Sequence, residues 1–84
     1  MKNFSLSIIT PDGIVYKGDI TSLVVPGSEG SFGIWANHTP LIASLKPGVV
    51  ISKDESKEIY ITTSSGALEV SENNRVIILV DSAV

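Results

Sequence analysis

The sequence predicts an all-β fold, an antiparallel sandwich or barrel. Apolar and polar residues alternate over short stretches, and Gly, Pro, Asn and Asp interrupt these stretches every eight to twelve residues. No window carries the 3.6-residue period of an amphipathic helix. Short strands at that spacing, each closed by turn residues, are what a sandwich or barrel requires.

The elements follow in order. Phe4, Leu6 and Ile8 alternate with Ser5, Ser7 and Ile9, which makes the first strand. Thr10-Pro11-Asp12-Gly13 then forms a turn, because Pro11 presets its own φ and Gly13 tolerates a left-handed bend. A strand over 14–16 leads through Lys17-Gly18-Asp19 into a β-branched strand over 20–25, closed by Pro26-Gly27. Residues 32–35 and 41–45 make two more strands, and Lys46-Pro47-Gly48 ends the second of them. A strand over 49–52 precedes the charged turn Lys53-Asp54-Glu55-Ser56-Lys57. Strands over 59–63, 67–70 and 76–80 complete the series, separated by Ser65-Gly66 and by Glu72-Asn73-Asn74. Three runs break the alternation: Leu23-Val24-Val25, Val49-Val50-Ile51 and Val76-Ile77-Ile78-Leu79-Val80 are apolar on both faces. A sandwich strand has one wet face, so their outward residues either sit under loops or cover a partner.

Eighty-four residues make one domain, 1–84, able to bury somewhat more than ~60% of the unfolded surface. With no Cys there is neither a disulfide framework nor a Cys-based zinc site. The alternating start lacks the apolar run of a signal peptide, which points to the cytoplasm and makes the triplets Asn3-Phe4-Ser5 and Asn37-His38-Thr39 chance matches to a glycosylation acceptor. No apolar run approaches the ~20 residues of a membrane span. A net charge of −3, with six scattered Lys and Arg, argues against nucleic-acid binding.

Catalysis needs positioned acids, bases, nucleophiles or metal ligands, and this chain has one His and no Cys. His38 lacks a second His within ligand spacing, so it reads as a turn cap or a partner contact. Asp54, Glu55 and Glu58 lack the Asp/Asn alternation and closing Glu of a calcium loop, and read as a solvated turn. Gly27, Gly30 and Gly33 recur every third residue, which suggests tight backbone bends. They do not make a phosphate loop, since no Gly-Lys-Ser/Thr ending and no following helix accompany them. No cofactor or metal is therefore expected. Such a turn offers shape together with one carboxylate, Glu29, for a charge-assisted hydrogen bond to a basic or polar loop.

The stretch Val25-Pro26-Gly27-Ser28-Glu29-Gly30-Ser31-Phe32-Gly33-Ile34, followed by Asn37-His38-Thr39-Pro40-Leu41, resembles the signature of the epsilon subunit of F-type ATP synthases, in its N-terminal β-sandwich domain. The likeness extends to Thr10-Pro11-Asp12-Gly13 with Tyr16-Lys17-Gly18, to Leu45-Lys46-Pro47-Gly48, and to Ser65-Gly66-Ala67-Leu68-Glu69-Val70 with Asn74-Arg75-Val76. Four such turns in this order make the likeness specific.

The resemblance implies a flattened β-sandwich of about ten strands and a non-catalytic part of the rotor, or central stalk, of a proton- or sodium-translocating synthase. This part links the gamma subunit to the c-ring, at the cytoplasmic face of the bacterial inner membrane. By position, Ser28, Glu29, Gly30 and Ser31, with His38 nearby, would face the c-ring; Thr10, Leu41, Ile42 and Ala43 would pack on gamma. The chain departs from the family at Ser31, where members often carry an acidic or larger polar residue, and it ends without the family's C-terminal helical hairpin, its inhibitory element. An alternative from a different class is a β-sandwich module for a small ligand or carbohydrate, with Trp35 and Tyr60 as stacking platforms.

Overall fold

The computed structural model describes residues 2–84, and among them nine strands form. These are β1 (Phe4–Thr10), β2 (Gly13–Ile20), β3 (Ser22–Gly27), β4 (Gly30–Trp35), β5 (Leu41–Leu45), β6 (Gly48–Lys53), β7 (Glu58–Thr63), β8 (Gly66–Ser71) and β9 (Arg75–Val80). One layer runs β2-β1-β9-β8-β5 and the other β4-β3-β6-β7. The ladder passes from layer to layer at the single pair Gly27↔Leu45. That joint is extended by the Ser28 N–H on the Ser44 carbonyl at 3.0 Å and the Lys46 N–H on the Pro26 carbonyl at 2.9 Å.

Alternation decides what lies between the layers. Phe4, Leu6 and Ile8 of β1 are buried and Ser5, Ser7 and Ile9 are not; Leu68 and Val70 of β8 and Val76, Ile78 and Val80 of β9 repeat the pattern. They meet Leu23 and Val25 of β3, Ile34 of β4, Val50 of β6 and Ile61 of β7 in one hydrophobic cluster. Burying each such side chain contributes about 1.5–3 kcal/mol. Two hydroxyls, Ser52 Oγ and Thr63 Oγ1, are buried with no hydrogen-bond partner.

The expected all-β sandwich is present, with differences of detail. Nine strands form among the described residues, against about ten expected. The sandwich departs from antiparallel pairing at β1 and β9, which run parallel from Ser5↔Arg75 to Ile9↔Leu79. Parallel neighbours need a long connection, and here nearly the whole chain intervenes between the two strands. Lys17-Gly18-Asp19 is no turn but lies within β2, paired to β1 as far as Phe4↔Ile20. The break comes at Thr21, whose N–H and Oγ1 both donate to the Lys53 carbonyl, at 2.8 and 3.0 Å. Between Ile8↔Tyr16 and Ile9↔Ile14 the register shifts, leaving Val15 as an extra residue in a bulge.

The Thr10–Gly13 turn forms as expected: Gly13 has φ 125°, and Thr10 Oγ1 accepts the Asp12 N–H at 3.2 Å. The triplet spacing of Gly27, Gly30 and Gly33, in contrast, does not mark three bends. Of these three only Gly30 is left-handed, at φ 132°. Gly27 and Gly33 sit inside strands as places of close approach, and a Cβ on Gly33 would lie 2.6 Å from Cη2 of Trp35. The indole therefore covers a bare stretch of β4.

Gly66 is tighter. A Cβ there would overlap the Leu79 carbonyl oxygen and come within 2.7 Å of Val80 Cγ1. Gly66→Ala should therefore lower stability by about 2 kcal/mol or more, read as a fall in the urea midpoint at constant m-value; an unchanged midpoint would contradict this packing. Gly33→Val meets only the far end of an exposed side chain. It should keep the fold, cost about 1 kcal/mol or less, and alter Trp35 fluorescence as the ring swings away. Loss of the native spectrum in that variant would show that the indole cannot move.

Candidate functional site

The Ser28-Glu29 turn closes the β3–β4 hairpin. Gly27 pairs with Gly30, and the left-handed Gly30 lets the chain reverse over two residues. Ser28 is held on the Ser44 carbonyl of β5, so the tip stands over that strand. Residues 27–32 and 42–44 together line an open groove of about 660 Å³. Ser28, Glu29, Gly30 and Ser31 are all exposed there, alongside Ile42 and Ala43. The structure thus brings together residues that the resemblance assigned to two different partners.

His38 is not near this tip. It follows the other end of β4, five residue steps from Gly30, about 17 Å at ~3.4 Å per step. It shares a polar cleft of about 420 Å³ with Pro40, Glu72 and Asn74. His38 Nδ1 lies 2.6 Å from the Thr39 carbonyl oxygen, so that nitrogen carries the proton, and Nε2 is an acceptor when the ring is neutral.

The remaining expected contacts separate by face. Thr10 is buried, with its hydroxyl engaged in its own turn. Leu41 and Ala43 pair with the buried Val70 and Leu68 and pack against the core, whereas Ile42 points outward and is 79% exposed. Of that set, Ile42 alone is a free contact.

A broader surface surrounds Ile42. Cross-strand partners share a face, so the outer side of the first layer carries the row Ile14–Ile9–Leu79–Ala67–Ser44. Beside it runs the row Lys17–Ser7–Ile77–Glu69–Ile42. Ile14 is 60% and Leu79 53% exposed, so no loop among the described residues covers them. The apolar run 76–80 was the visible sign of this surface. Ile9 and Ile14 escaped notice because only the pairing aligns them with Leu79.

The outer face of the second layer has its own strip, Gly33–Val24–Ile51–Tyr60, with the Trp35 ring lying on Gly33. Three strand spacings, about 14 Å at ~4.8 Å each, separate Gly33 from Tyr60, so the two aromatic residues do not adjoin as one stacking platform. The charged turn is self-contained. Asp54 Oδ1 accepts the Ser56 N–H, the Ser56 Oγ–H and the Lys57 N–H at 2.8, 2.9 and 2.9 Å. The Ser56 backbone bond, above all, holds this carboxyl below its usual range, so the turn's bonds survive as pH falls until that lowered value is crossed. Among the described residues no group of three or more His, Cys, Asp or Glu could hold a metal ion.

Comparison with known proteins fits this arrangement. The family model described as "ATP synthase, Delta/Epsilon chain, beta-sandwich domain" matches residues 3–84. The ATP synthase epsilon chain of Leptospira borgpetersenii is 48% identical over 77 residues, covering 92% of this chain and 60% of the relative. That of Campylobacter curvus is 39% identical over 84 residues, covering 100% of this chain and 65% of the relative. The chain therefore spans 60–65% of the length of these relatives.

Among solved structures, a chain of the Euglena gracilis mitochondrial ATP synthase OSCP/F1/c-ring assembly superposes with TM-score 0.91 at 23% identity, covering 98% of this chain and 52% of that one. A chain of the Tetrahymena thermophila mitochondrial ATP synthase central stalk and c-ring gives 0.83 at 16% identity, with 99% and 66% covered. At those identities the likeness shows the shared fold. The relatives at 48% and 39% identity, with a family model matched over residues 3–84, go further: the chain belongs to the family of ATP synthase delta/epsilon chain β-sandwich domains.

Proposed function

We propose that this chain is a rotor module of an F-type ATP synthase, joining the gamma subunit to the c-ring as a mechanical part without chemistry of its own. The observation that carries the reading is the outward apolar surface of the first layer, on which Ile14, Leu79 and Ile42 are exposed and Ile9 and Ile77 are half-buried. An apolar surface with Lys17 at one end and a single carboxylate, Glu69, between Ile77 and Ile42 fits a protein partner better than solvent. Gamma takes this face, with Ile42 in direct contact and Thr10, Leu41 and Ala43 supporting it from behind. The exposed tip Ser28-Glu29-Gly30-Ser31 takes the c-ring, Glu29 offering a carboxylate to a polar or basic loop. His38 lies on the rim at the opposite end of β4. The module is peripheral to the membrane, held through the complex at the cytoplasmic face of the bacterial inner membrane, with protons or sodium ions as the coupled species.

Calorimetric titration with gamma from the same organism should give saturable binding near one to one. Leu79→Asp should keep the fold and weaken that binding at least about tenfold, roughly 1.4 kcal/mol, whereas Tyr60→Asp on the other layer should leave it unchanged. No binding by a folded sample, or loss of affinity at Tyr60 and not at Leu79, would refute the assignment. Glu29→Lys separates the two interfaces: it should preserve affinity for gamma and reduce ion-coupled ATP synthesis in the assembled enzyme.

A further inference from the structure

The crossover between β4 and β5, residues 36–40, carries His38 and Pro40 from one layer to the other. Among the described residues it takes part in no backbone–backbone hydrogen bond outside the strands. Beyond the packing of Ala36 against the core, its ties to the rest of the fold are two side-chain bonds across 37 residues of sequence. The Asn37 N–H donates to Asn74 Oδ1, and Asn74 Nδ2 donates to Asn37 Oδ1 at 3.2 Å.

Both residues are left-handed, with φ 65° at Asn37 and 57° at Asn74, a conformation that Asn tolerates far better than most residues. Asn74 is itself anchored, because its carbonyl accepts the Ser5 N–H of β1 at 2.9 Å and it closes the β8–β9 turn. The crossover residue of the pair is thus tied to one that a backbone bond holds on β1.

We propose that Asn37 and Asn74 form a clasp that holds the 36–40 crossover in one conformation. The rim beside Ile42 is then presented to a docking partner already ordered. The pair acts by positioning: it need not touch the partner, and it removes a loop-ordering cost that docking would otherwise incur. The docking consequence rests on the rotor reading above, while the clasp itself does not.

The test compares Asn74→Gly with Asn74→Asp in the whole chain. Glycine takes the left-handed φ freely and deletes both bonds, so it separates hydrogen bonding from backbone strain. Aspartate keeps the acceptor for the Asn37 N–H and restores part of the clasp. In Asn74→Gly, amide exchange at Asn37 should accelerate about tenfold or more, and the His38 ring resonances should change width as the loop samples new conformations. Asn74→Asp should exchange at an intermediate rate. Association with gamma should slow about three- to tenfold in Asn74→Gly with little change in dissociation, as expected when a smaller fraction of the chain is competent to bind.

Unchanged Asn37 exchange in Asn74→Gly would overturn the clasp. Weaker binding with unchanged exchange would overturn it too, by showing a direct contact instead. If the unaltered chain fails to bind gamma, the rotor reading falls with the docking consequence, and the exchange rates alone decide the clasp.

Discussion

A two-residue side-chain period shared by β1, β8 and β9 is the constraint on which the other features rest. These neighbouring strands put Leu6, Ile8, Leu68, Val70, Val76 and Ile78 on one side, and the second layer has nowhere else to bury Leu23, Val25, Ile34 and Val50. A slip of one residue in β1 would exchange Leu6 and Ile8 for Ser5 and Ser7, removing apolar surface from the interior and exposing it outside. Register is therefore held by burial. The bulge at Val15 is tolerated because it falls on β2, at the edge of the layer, where no further strand must follow the shift.

Once the inner face is set, the outer faces are its complement. β9 lies in the middle of its layer and is apolar on both sides, so Ile77 and Leu79 are carried to the surface by the same periodicity that buries Val76, Ile78 and Val80. Their exposure is a consequence of register and not of a loose loop, which gives the surface the rigidity of the sheet beneath it. The two ends of the sandwich are secured differently. At one end, backbone bonds around Gly27 and Leu45 lock the hairpin tip to β5; at the other, the Asn37–Asn74 side chains hold the crossover. For a part proposed to pass torque, stiffness at both ends matters as much as the chemistry of the face between them.

Much of the fold was legible in the chain itself. Thr10-Pro11-Asp12-Gly13 announced its turn because Pro and Gly act locally, and the strands over 41–45 and 76–80 read correctly because a short, mostly apolar run bounded by turn residues is a local pattern. Lys17-Gly18-Asp19 misled for a related reason. Gly beside charged residues has turn composition, yet pairing with β1 keeps it extended, and the chain breaks one residue past Ile20. The Gly27, Gly30, Gly33 spacing misled because glycine serves bends and close approaches alike. Only the position of the Trp35 ring tells them apart.

The sequence by itself determined the all-β class, the alternation of the first strand and the family likeness, since all of these are written in short stretches of neighbouring residues. The tertiary structure alone decided that β1 and β9 lie parallel, that Ser28–Ser31 shares a groove with Ile42 and not with His38, and that Ile9, Ile14 and Leu79 form one row. Those facts depend on which strands become neighbours. Neighbours are chosen by the burial of a common core among residues far apart in the chain, and no local pattern records that choice.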